Sequence, residues 1–244
     1  GVTVVPFYVS FDSEHYMREI ADMPIRKFYE QMVADPTTFP KSSMPSVQDY
    51  VDVFEPIVKE GNAVICICIT TKFSGSFQSA MNAKEMVLES CPDARITVMD
   101  STIDTVLQGL FVLEAVRMRE AGVAYEKAVE ALESIKGTGR IFFTVGNIDY
   151  LKHGGRIGKL AGLAGSVLGI KPLITLKEGE IFPSGVSRSR KKSLEKVYEL
   201  LWQYLQEVNA SSGEYSICVG YGYDIAEAEA FRKGAVSFLN EKGY

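Results

Sequence analysis

The sequence predicts a doubly wound, Rossmann-like α/β domain over residues 1–139, followed by an α+β domain with antiparallel strands over residues 140–244. Three observations carry this reading. Strand-like apolar runs alternate with helical spacing through the first half, which implies a parallel sheet with helices on its faces. The run Ala63 to Ile69 is apolar throughout, as a strand buried on both faces must be. After Lys136-Gly137-Thr138-Gly139 the pattern changes, and two short strands flank Glu178-Gly179 as a hairpin.

Taken in order, Val2 to Val9 reads as an opening strand, and its abrupt start leads us to expect that an N-terminal piece precedes it in the full protein. Ile25 to Val33 has helical spacing through Phe28, Tyr29 and Met32. Val47 to Lys59 is a helix with Ser46 as N-cap and Asp49 completing a capping box, and Pro56 is expected to kink or end it. Ser74 to Ser90 follows the buried strand as a helix, then Arg95 to Met99 as a strand, and Asp104 to Ala121 and Tyr125 to Ile135 as helices. In the second domain Arg140 to Val145 is a strand, and Lys171 to Leu176 with Glu180 to Phe182 form the hairpin. Leu194 to Val208 is an amphipathic helix, Tyr215 to Val219 a strand, and Ile225 to Leu239 a closing helix.

Composition excludes several classes. Hydrophobic residues make up 46% and charged residues 23% of 244, as in an ordinary globular chain. A net charge of −5 provides no global positive field for nucleic acid. No stretch of about 18 apolar residues exists to span a membrane. Four cysteines in a chain of this length are not a disulfide framework. Cys66 and Cys68 alternate on the apolar strand and share a face as small hydrophobes, and this cysteine usage fits a reducing cytoplasm. Only two histidines, His15 and His153, are present, and neither lies near a cysteine, so no metal or other cofactor is expected.

The chemistry-bearing segments are Ser42-Ser43-Met44-Pro45-Ser46 and Thr70-Thr71-Lys72-Phe73-Ser74-Gly75-Ser76, both read as helix starts. Helix starts offer unpaired N–H groups and a positive dipole end, and hydroxyls add donors. Ser42, Ser43, Ser74 and Ser76 therefore suggest one site for a small anion, most simply a carboxylate, with Gly75 allowing close approach to the backbone. The alternative is that these serines merely cap helices. A nucleophilic role for Ser74, as in an acyl hydrolase or transferase, lacks the Gly-x-Ser-x-Gly pattern and any histidine tied to it. Gly154-Gly155-Arg156-Ile157-Gly158-Lys159-Leu160 fails the phosphate-loop spacing. Its double glycine delivers Arg156 either to an acid or to the surface after a helix C-cap. Gly158, Gly162, Gly165 and Gly169 alternate with Leu160, Leu163, Val167 and Leu168, a segment suited to close helix packing or to walling an apolar tunnel. Arg188-Ser189-Arg190-Lys191-Lys192 precedes a helix as a solvated basic run, with a docking or anion-facing role for Arg188 left open.

Together these segments resemble the DegV family of bacterial fatty-acid-binding proteins along essentially the whole chain. The resemblance rests on Val4-Val5-Pro6, the two serine segments continuing through Phe77-Gln78-Ser79-Ala80, Asp100-Ser101, Tyr150-Leu151-Lys152 with Gly154-Gly155-Arg156, Ile170-Lys171-Pro172, and Arg188 to Lys192. It implies a long-chain fatty acid held in a tunnel between two domains, its carboxylate bonded by Ser42 or Ser43 and by Ser74. It further implies a carrier without catalysis of its own that presents the acid to a fatty acid kinase for phospholipid synthesis, with Arg156 and Arg188 serving the site mouth and kinase docking. The rival readings remain a serine-dependent acyl enzyme and a ligand-free interaction protein. The chain departs from the family pattern at Ser42, usually threonine, and Met44, usually glutamine. The family's Thr-Asp-Ser strand and its His-Thr-Gly-Pro-Gly segment do not occur in these residues.

Overall fold

The computed structural model describes residues 1–146, 148–163 and 169–244. The chain divides into two compact units, Gly1–Gly139 and Arg140–Tyr244.

The first unit is built around a parallel pair, β4 (Val64–Cys68) and β5 (Ile96–Asp100), in register from Val64↔Ile96 to Cys68↔Asp100. Successive side chains of β4 point to opposite faces. Val64, Cys66 and Cys68 join Tyr50, Phe54, Ala80, Ala83 and Val87, from α2 (Val47–Lys59) and α3 (Ser76–Ser90). Ile65 and Ile67 pack against Met99, Ile103, Phe111 and Leu132, on the side of α4 (Thr105–Glu120) and α5 (Tyr125–Ile135). Helices thus cover both faces of the pair, which is why β4 has no polar position. Ahead of this layer, β1 (Tyr8–Ser10), β2 (Met17–Arg18) and β3 (Lys41–Ser43) form an antiparallel sheet in the order β2-β1-β3, with α1 (Ile25–Ala34) between β2 and β3 in the chain.

The capping box forms as the residue types require. Ser46 Oγ accepts from Asp49 N–H at 3.2 Å, and Asp49 Oδ2 accepts from Ser46 N–H at 2.7 Å. One expectation for this unit is narrowed and two are corrected. Of the two outcomes expected at Pro56, a kink or an end, the end does not occur: α2 runs on to Lys59, its Phe54 face packed and the Glu60 N–H still reaching Pro56 O at 3.2 Å. The opening strand shrinks to Tyr8–Ser10, since only these residues find partners on β2 and β3. Ser42 and Ser43 are strand residues, paired with Val9 and Tyr8, and the helix start lies at Ser46.

The second unit carries an antiparallel sheet β6-β7-β8, formed by β6 (Ile141–Thr144), β7 (Lys171–Lys177) and β8 (Glu180–Ser187). Positive φ at both Glu178 and Gly179 (53° and 81°) makes the tight hairpin turn whose twist matches its strands. Pro183 is tolerated because β8 is an edge strand. Helix α7 (Arg190–Glu207) packs on this sheet, and α8 (Ile225–Glu241) packs on α7 through Tyr198 and Phe231, whose ring centroids are 4.7 Å apart. The short helix α6 (Asp149–His153) and a 3-10 stretch, Gly158–Leu163, lie between β6 and β7. Of the glycine-and-leucine segment, Gly165, Val167 and Leu168 lie outside the described residues, while Leu160 is fully buried.

Two further expectations change here. Tyr215–Val219 forms no ladder with a described strand, and Ile217 is 43% exposed. Strand propensity without a paired neighbour does not make a strand. The basic run does not simply precede a helix, because Arg190, Lys191 and Lys192 form the first turn of α7 behind the N-cap Ser189. Arg190 is held there by a two-pronged bond to Glu227 (2.9 and 2.6 Å).

Candidate functional site

The carboxyl ends of β4 and β5 open into two loops, residues 69–75 and 101–104, the place where open α/β sheets bind ligands. The first loop is pinned to the second. Asp100 accepts from Thr71 Oγ1 at 2.6 Å, Thr71 N–H at 3.3 Å and Thr102 N–H at 2.9 Å. Thr70 N–H donates to Ile103 O at 2.9 Å, and Ser101 Oγ donates to Cys68 O at 2.7 Å. Thr102 and Thr105 take φ of 56° and 50°, left-handed values that β-branched residues adopt only when their surroundings impose them. The loop is thus a strained, fixed support for the start of α3.

At that start Gly75 is the N-cap. Ser74 is half-buried, and its Oγ accepts from Ser76 N–H at 3.1 Å, which leaves the Ser74 proton for a second partner. The helical ladder begins with Ser79 N–H to Gly75 O at 3.1 Å, so the Phe77 and Gln78 N–H groups have no intrahelical acceptor. Ser76 is buried, and its hydroxyl lies beside the Tyr50 phenol without forming a hydrogen bond of good geometry. The cluster continues through Cys68 and Cys66, whose sulfurs are 3.7 Å apart. Burial, ahead of the neighbouring thiols, pushes the Tyr50 phenol above its ordinary value. Contact with the Cys68 sulfur and then burial push the Cys66 thiol up, so this group stays neutral.

The turn from β3 into α2 reaches the same place. A Cβ on Gly75 would lie 2.8 Å from Met44 Sδ and 3.4 Å from its Cε, so the Met44 side chain rests on the bare backbone of Gly75. The two serine segments are therefore neighbours. The missing side chain at Gly75 makes room for a thioether of this same chain, a role the sequence did not indicate. Ser42 and Ser43 are consecutive strand residues and point to opposite faces. Ser43 is directly opposite Tyr8, whose hydroxyl donates to Asp49 Oδ1 at 2.9 Å, which puts Ser43 on the side of the α2 start. Burial works to raise the Asp49 carboxyl, but bonds from Ser46 and the Tyr8 hydroxyl outweigh it and hold it below its usual range.

Arg156 and Arg188 belong to the second unit. Arg156 follows α6 in a Schellman cap: Gly155 at φ 71° sends its N–H to Lys152 O, and Arg156 N–H bonds Leu151 O. The double glycine is thus explained by helix termination, and the exposed Arg156 guanidinium donates back to Gly154 O. Arg188 is exposed between β8 and α7. Sequence reasoning named Asp100 only within the family resemblance and gave it no role, whereas here it anchors the loop ahead of α3. Its place at the last position of a parallel strand was the available signal. His15 Nδ1 lies 2.7 Å from Asp12, and among the described residues neither histidine bonds Ser74. Among the described residues no group of three or more His, Cys, Asp or Glu gathers to hold a metal, and no helix is long and apolar enough to cross a membrane.

Fold and site together describe a mixed α/β protein in which hydroxyl and amide donors lie at the carboxyl ends of a parallel strand pair. The chain belongs to the DegV family, described as uncharacterised proteins, whose model matches residues 1–242. It is 47% identical to a stearic acid-binding protein from Eubacterium ventriosum, with a TM-score of 0.93 over 98% of this chain and 80% of that one. A DegV family protein from Thermus thermophilus described for fatty acid binding is 30% identical, with a TM-score of 0.74 over 84% and 71% of the two chains. The fatty acid kinase B3 protein of Streptococcus pneumoniae, loaded with linoleic acid, is 28% identical, with a TM-score of 0.70 over 82% and 69%.

Proposed function

We propose that this chain binds one long-chain fatty acid, with its carboxylate at the start of α3, and presents it to a fatty acid kinase. Ser74 donates its free proton, and one of Ser42 and Ser43 adds a second hydroxyl. The backbone of Gly75 and the first turn of α3, including Ser76, supply the remaining donors. The acyl tail occupies an apolar tunnel, as the family resemblance implies, and Arg156 and Arg188 serve the site mouth and kinase docking. The observation that carries the reading is the seating of Met44 on Gly75, which brings both serine segments to one helix start. The fatty acids named for its relatives support the choice of ligand.

The physics divides the work between head and tail. Burying a methylene contributes about 0.8 kcal/mol, so a tail of about 14 methylenes offers roughly 11 kcal/mol gross. Ordering the tail and losing overall freedom return several kcal/mol of that. Hydrogen bonds to the charged head contribute about 1.5–3 kcal/mol each, largely offset by desolvation. The tail therefore sets affinity, and the hydroxyls set orientation and preference for an acid. Competition of palmitate, hexadecanol and methyl palmitate against a fluorescent fatty acid tests this. Palmitate is expected to win clearly over both neutral analogues; equal displacement by all three would reject a carboxylate site.

A further inference from the structure

We propose that Met44 is an oxidation site, and that its conversion to the sulfoxide by a peroxide closes the carboxylate site. This inference rests on the fatty-acid reading above. Of the eight methionines, only Met44 (46%) and Met86 (49%) are exposed. The Met44 sulfur is the one seated on Gly75, against the helix start assigned to the carboxylate.

The chemistry needs no activated thiolate and no base. A sulfur lone pair attacks one peroxide oxygen, the O–O bond breaks, an S–O bond forms, and the departing hydroxide takes the proton of the new S–OH to leave as water. Sulfur is oxidised by two electrons and the peroxide is reduced by two. The product changes what Met44 offers its neighbours. A thioether is a weak acceptor, whereas a sulfoxide oxygen is a polar acceptor comparable to a carbonyl. The new oxygen arises on the side chain that rests on Gly75, the N-cap of the helix whose Phe77 and Gln78 N–H groups have no intrahelical acceptor, and the chain neighbour of Ser74. It thus takes the donors that the carboxylate requires, from a tethered position that gives it a high effective concentration. Glutamine at this position would have nothing to oxidise.

The test treats the intact protein, Met44→Leu and Met86→Leu with hydrogen peroxide, maps sulfoxide by peptide mass spectrometry, and scores palmitate affinity against each variant's own untreated value. The intact protein and Met86→Leu should lose about tenfold or more in affinity, in step with oxidation at residue 44. Met44→Leu should hold its untreated affinity, and methionine sulfoxide reductase should restore the intact protein. The proposal is overturned if Met44 resists while Met86 oxidises, or if affinity persists once Met44 is converted. Failure of all three untreated proteins to bind palmitate would instead overturn the fatty-acid reading, and this inference with it.

Discussion

Replacing Ser74 by alanine separates a ligand donor from a helix cap. The wild-type hydroxyl accepts one bond from Ser76 N–H at 3.1 Å and keeps its proton for a second partner. If that partner is a carboxylate, the lost bond costs about 1.5–3 kcal/mol, or about 10- to 150-fold in Kd. The Ser76 N–H also loses its acceptor, a cap-like loss of about 1 kcal/mol that denaturant unfolding reads separately. The two costs part company when the ligand loses its charge. Displacement of a fluorescent fatty acid should show Ser74→Ala weakened for palmitate and little changed for methyl palmitate. Equal losses for acid and ester would reduce Ser74 to a structural cap, and no loss for either would remove it from the site.

The loop behind the site is expected to depend on Asp100. Asp100→Ala strands two Thr N–H groups and the Thr71 hydroxyl, so it should cost about 1–3 kcal/mol in urea unfolding and also weaken palmitate binding; unchanged binding would free the loop from that role. Arg156→Ala should slow phosphorylation of the bound acid by a fatty acid kinase more than it weakens palmitate binding, and normal turnover would refute the docking assignment. The bond from Arg190 holds the Glu227 carboxyl below its usual value, so this pair stabilises the protein above the ordinary glutamate range and ceases to as pH falls through the lowered folded value. Thermal unfolding from pH of about 6 to about 3 should therefore fall less steeply for Glu227→Gln than for the wild type; parallel curves would contradict the assignment.

What was legible in the sequence was what neighbours in the chain decide. The capping box of Ser46 and Asp49 lies within one turn, α5 (Tyr125–Ile135) follows from helical periodicity, and the Glu178-Gly179 hairpin closes on itself. The apolar run of β4 announces burial on both faces wherever its partners lie. Misreadings arose where distant pairing decides. Ser42 and Ser43 look like cap residues until Val9 and Tyr8 draw them into a sheet. Tyr215–Val219 has strand residues but no paired neighbour among the described strands. The site divides in the same way. Ser74-Gly75-Ser76 was visible as a strand-to-helix turn, whereas the anchoring of that turn by Asp100 and the filling of its open face by Met44 depend on folded contacts that no local pattern encodes.

Native mass spectrometry of the protein, purified without added lipid, tests the central claim most directly. A bound mass equal to one long-chain fatty acid, displaced by excess palmitate, is the result the account predicts. A bare protein mass that stays bare after incubation with palmitate would contradict it.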